Sequence, residues 1–149
     1  MNPIFEAARE IQEFCRARGW RFCIIGGLAV QRWGEPRLTR DVDVTLLTGF
    51  GGEAAFVDGL LSGFQPRLPD ARDFALRNRV VLLSSSERVP IDIALGAMPF
   101  EEKAVSRATT YRVSPDLELK EDAETEGRLR RLFTSLSRPS SSQTSETTF

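Results

Sequence analysis

The chain has 149 residues, 41% of them hydrophobic and 28% charged, the balance of one soluble domain long enough to bury a core. Its net charge of −1 argues against an extended basic footprint for nucleic acid and leaves an RNA only a local patch around Arg32, Arg37 and Arg40. Histidine is absent, which removes imidazole catalysis and most zinc chemistry.

In chain order, Pro3 to Arg18 has the period of an amphipathic helix, with Ile4, Ala8, Ile11 and Cys15 on one face and Gly19 as its stop. Arg21 to Ile25 reads as a short buried strand ending in Gly26-Gly27, and Leu28 to Trp33 as a short helix behind the glycines. Asp41 to Leu47 is a second strand, and Gly51 to Leu61 a helix with Ala54, Phe56, Val57, Leu60 and Leu61 inward. Leu68 to Asp73 reads as a loop. Arg79 to Ser84 and Val89 to Leu95 form a hairpin turning at Ser84–Arg88, followed by a short helix from Phe100 to Arg107 and a last strand from Thr110 to Val113. In the stretch Thr134–Phe149, ten of sixteen residues are Ser or Thr, so a disordered tail is expected over 134–149 and a folded domain over 1–133. Cys15 and Cys23 lack metal-ligand spacing and read as free core thiols of a cytoplasmic protein. No apolar run is long enough for a membrane span or a signal peptide.

The chemistry-bearing residues are Asp41, Asp43 and Asp92. Two carboxylates at i and i+2 of a strand point to one face with Cβ atoms roughly 6–7 Å apart. At an effective dielectric near 20 they repel by roughly 2–3 kcal/mol, a cost that a cation offsets. Asp-x-Asp alone is commonly just the solvated side of a strand, and Val42, Val44 and Leu46 supply the apolar side here. The surroundings argue for more. Gly26-Gly27 before a helix lets the backbone approach a phosphate, and Arg37, Thr39 and Arg40 add positive charge and a hydroxyl just before the acids. Asp92, between Ile91 and Ile93 on a later strand, would complete a set of hard oxygen ligands suited to Mg²⁺ or Mn²⁺. A competing motif, Gly49-Phe50-Gly51-Gly52-Glu53-Ala54, fits a dinucleotide fingerprint. It lacks the acidic residue at the end of a second apolar strand and reads as a turn.

The run from Gly26 to Val44, with Gly-Gly, then Arg37-Leu38-Thr39-Arg40-Asp41-Val42-Asp43, resembles the signature of the DNA polymerase β-type nucleotidyltransferase superfamily. Within it the chain is most similar to the small bacterial AbiEii-like group, many of whose members are toxins of toxin–antitoxin pairs. The likeness covers roughly residues 20–113, and its specificity lies in the combination of pieces. It implies an α+β fold, a nucleotidyltransferase-like mixed β-sheet with helices packed mainly on one face. It also implies a metal-dependent transfer of a nucleoside monophosphate from an NTP to a hydroxyl of an RNA, a protein or a small molecule, with an antitoxin as a further partner. On this resemblance Asp41, Asp43 and Asp92 are the catalytic and metal-binding residues, Asp92 also helping to deprotonate the acceptor. Gly26, Gly27, Arg37 and Thr39 would bind the nucleotide.

The chain departs from that group after Val113-Ser114-Pro115. There the group continues with a lysine-bearing helix; here the sequence from Asp116 to Arg131 matches poorly, with Lys120 a weak stand-in for that lysine. Two further readings therefore compete with the enzyme: a catalytically silent nucleotide binder, and an interaction module that keeps the fold and uses the acids structurally.

Overall fold

The structure, a computed structural model, describes residues 2–25 and 40–122. Helix α1 (Pro3–Ala17) starts on a cap that the sequence supplies: Asn2 Oδ1 accepts from the Ile4 N–H at 3.0 Å, and Pro3 needs no partner in the first turn. It ends before Gly19, whose φ of +67° suits glycine. Ala7, Ala8, Ile11 and Cys15 on its inward stripe are fully buried.

Strand β1 (Phe22–Ile25) is followed by β2 (Val42–Leu47), α2 (Glu53–Gly63), the two-residue β3 (Gln65–Pro66), α3 (Ala71–Asn78) and β4 (Val80–Ser84). Then come β5 (Pro90–Gly96), α4 (Pro99–Arg107), β6 (Thr109–Ser114) and β7 (Leu117–Glu121). The strands form one mixed sheet in the order β3-β4-β5-β2-β1-β7-β6. The β2/β5 and β1/β7 pairs are parallel and the others antiparallel. The class is α+β.

Alternation sorts the side chains onto two faces. Phe22, Ile24, Val44, Leu46, Val81, Leu83, Ile91 and Ile93 join one core with α1, α2 and α3. Cys23, Ile25 and Leu47 lie on the other face, where α4 covers them with Ala104 and Val105. Three of the four described helices thus share one face, and α4 takes part of the acid-bearing one. The α1–α2 approach depends on Gly63, where an added Cβ would come within 2.3 Å of the Phe14 ring.

Three elements differ from the sequence reading. Helix α3 stands in and beyond the expected 68–73 loop, because Ala71 and Ala75 alone form its buried stripe and leave almost no apolar period. Strand β3 is too short to show a period. Strand β7 alternates Leu117 and Leu119 inward, but its charged residues hide the pattern. Gln12 of α1 is 2% exposed and serves β7 as a strand neighbour would. Its Nε2 donates to the Glu118 carbonyl at 2.6 Å, and its Oε1 accepts from the Lys120 N–H at 2.8 Å.

Cys15 and Cys23 are free and buried, as expected, and burial pushes both thiols up to about 12. The Gly49–Ala54 segment makes the turn into α2, held by the Glu53 carboxylate accepting from the Gly51 N–H at 2.9 Å. Among the described residues no helix is long and apolar enough to cross a membrane. The expected helix over 28–33 and the expected tail over 134–149 lie outside the described residues.

Candidate functional site

The acids are assembled by strand register. Val42, Val44 and Leu46 are 0%, 1% and 0% exposed beneath the helices, so the alternate residues of β2 must face the other way. Parallel pairing of β2 with β5 then sets Asp43 directly beside Asp92. Asp41, one residue before β2, falls on the same side. All three are half-buried, and one carboxylate oxygen from each lies within 4.8 Å of the others.

This crowding shows in the electrostatics. Burial pushes the Asp43 carboxyl up to about 6, and the charges of Asp41 and then Asp92 push in the same direction. Arg67 opposes them. Its N–H donates to the Leu82 carbonyl at 3.0 Å, continuing the β3–β4 pairing by one residue. Leu82 pairs with Asp92, Asp92 with Asp43, and Asp43 with Ile25. Arg67 therefore stands in the same lateral row of the sheet as the acids, and its Nη2 donates to Asp92 Oδ1. Sequence reasoning missed this residue. Nothing in Pro66-Arg67-Leu68-Pro69 marks it, and only the register brings it across β4.

Among the described residues, three carboxylates meet one guanidinium, an excess of two negative charges in a half-buried row. The donors are hard oxygens, with no thiolate or imidazole among them. Asp41, Asp43 and Asp92 thus fit Mg²⁺ or Mn²⁺ and would suit softer transition metals poorly.

The neighbouring charges have structural partners. Asp122, 0% exposed, accepts from Arg107 Nε at 3.0 Å, tying the end of α4 to the residue after β7. Glu101 folds back over the start of its own helix so that Oε1 accepts from the Ala97 and Met98 N–H groups at 3.2 and 3.1 Å. It lies with Thr45 against Gly96, where a Cβ would come 3.1 Å from each. Lys120 stands on a strand, not on the helix that the family pattern would supply; its ammonium is 5.7 Å from the centre of the Phe22 ring.

Gly26, Gly27, Arg37 and Thr39, the expected nucleotide-binding residues, lie outside the described residues. The described ends on either side of them border the acids, since Ile25 pairs with Asp43 and Arg40 precedes Asp41. Comparison with protein-family models and with curated proteins gives no match for this chain.

Proposed function

We propose that the protein is a divalent-metal-dependent nucleotidyltransferase that moves a nucleoside monophosphate from an NTP to a hydroxyl acceptor. The observation that carries this reading is the convergence of Asp41, Asp43 and Asp92 to within 4.8 Å on one sheet face. The Gly-Gly and Arg-x-Thr-x-Asp-x-Asp pattern gives that convergence its chemical direction.

Asp41, Asp43 and Asp92 hold the metal. When bound, Mg²⁺ or Mn²⁺ would neutralise charge on the attacking hydroxyl oxygen and on the leaving pyrophosphate in an in-line displacement at the α-phosphorus. The chain itself mostly positions the reactants. Gly26 and Gly27 take the triphosphate through backbone N–H groups, Arg37 and Thr39 orient it, and Asp92 accepts the proton of the acceptor hydroxyl. The acceptor is an RNA, a protein or a small molecule, and in the toxin form of this reading a cognate antitoxin restrains the activity.

The test is label transfer by the full chain, with each of the four α-labelled NTPs, Mg²⁺ or Mn²⁺, and RNA or protein acceptors. The parent should transfer label and Asp43→Asn should not. Equal transfer by Asp43→Asn removes its assigned role, and transfer by neither protein onto any acceptor removes the enzyme. One observation favours the silent nucleotide binder as a second reading: Lys120 on a strand where the family pattern has its lysine on a helix. That reading expects a melting-temperature rise with NTP and metal together, and no transfer.

A further inference from the structure

Arg67 donates to Asp92, which is also one of the three carboxylates of the acid cluster, so a metal ion and the guanidinium compete for one carboxylate. We propose that Arg67 couples metal binding to triphosphate binding at this centre, an inference that rests on the nucleotidyltransferase reading above. A bare ion entering the cluster must break the Arg67–Asp92 pair and leave a guanidinium beside a new cation. An ion arriving with a triphosphate brings the anionic oxygens that take that guanidinium over. The result is a site that discriminates against free metal and accepts metal with nucleotide.

The geometry permits this exchange. The Arg67 backbone is fixed to the sheet by its hydrogen bond to Leu82, so a released side chain stays within reach of the acids. The side chains of Arg67 and Asp92 are 30% and 31% exposed, so they can part without opening the core. Strand register sets Asp43 directly beside Asp92, so the Arg67 charge lies next to a second acid of the cluster. The planar guanidinium fork suits carboxylate and phosphate equally, which makes arginine apt for a handover between them.

The test uses the full chain, Mn²⁺ alone followed by electron paramagnetic resonance of the free ion, and a non-hydrolysable α,β-methylene triphosphate at saturating Mn²⁺. In Arg67→Met, Mn²⁺ alone should bind about tenfold more tightly and the triphosphate about tenfold more weakly, within the usual range of coupling between sites. Arg67→Lys keeps the charge but not the fork, and should fall between parent and Arg67→Met in both titrations. A merely structural arginine would move both affinities in the same direction or move neither, and that outcome overturns the coupling while leaving the metal centre intact. If the parent itself retains neither Mn²⁺ nor the triphosphate, the nucleotidyltransferase reading falls and the inference falls with it.

Discussion

Strand β2 shows two faces of one segment under opposite demands. Val42, Val44 and Leu46 vanish beneath α1 and α2, where any apolar side chain of the right volume serves. Asp41 and Asp43 point the other way into a half-buried row, where like charges repel and Arg67 relieves only part of the strain. The helix-covered face is optimised for stability; the acid face gives stability up. On the proposed function the row is kept for the cation it would bind, and the two faces should then respond oppositely to substitution.

The sharpest break between them is catalytic. Asp43→Asn should lower nucleotide transfer by on the order of 10²–10³-fold or more, the loss typical of removing one preorganised electrostatic group. Its metal-free melting temperature should equal or exceed the parent's, because a repelling charge is gone. Leu46→Ala, on the opposite face of the same strand, should instead cost about 2–5 kcal/mol of stability through lost burial and a cavity. Denaturant unfolding of the two variants checks the contrast. An Asp43→Asn variant that unfolds as readily as Leu46→Ala would show that the acid is structural.

Beyond β2, the comparison extends to the α1–β7 contact. Gln12 is a polar residue on the apolar side, yet its amide satisfies two backbone groups of β7. Gln12→Leu should keep the volume and strand those groups, at a cost of about 1–3 kcal/mol. Unchanged stability in urea titration would mean that β7 finds other partners.

The elements that the sequence announces are those with a strong period or a sharp punctuation. The run Ile4, Ala8, Ile11, Cys15 marked α1, and the alternation across Val42–Leu47 both marked β2 and assigned its two faces, as the burial bears out. Asp92 was legible as a third acid because Ile91 and Ile93 flank it with strand alternation. What stayed hidden depends on distant pairing. Arg67 acquires its role from a register running through Leu82, and Glu101 from the turn of its own helix back onto Ala97 and Met98. Helix α3 was hidden for the opposite reason, since two alanines suffice to bury a short stripe.

The smallest expected effect tests the acid face without touching catalysis. The Asp43 carboxyl titrates near 6 in the folded protein, against 3.8 as its ordinary value. Between these values the folded state binds more protons than the unfolded chain, so this group favours folding fully below about 3.8 and loses that contribution as pH rises through about 6. The metal-free parent should therefore gain stability from Asp43 on moving from pH 7 to pH 5. At 1.36 kcal/mol per pH unit the gap would approach about 3 kcal/mol, and water around a half-buried carboxyl reduces this to about 1 kcal/mol. Glu53 and Asp58, held low by hydrogen bonds from Arg79 and Arg72, pull stability the other way on acidification. The informative quantity is thus the parent-minus-Asp43→Asn difference in unfolding free energy at each pH, which cancels their contributions. That difference should become more favourable to the parent on acidification, changing most steeply between about pH 6 and about pH 4, where the folded carboxyl is protonated and the unfolded one is not. Saturating Mg²⁺ should oppose the trend, because the ion requires the ionised carboxylate and competes with its proton. A difference that stays flat from pH 7 to pH 4 would mean that the Asp43 carboxyl is neither crowded nor desolvated, and the contrast between the two faces of β2 would then be one of side-chain polarity alone.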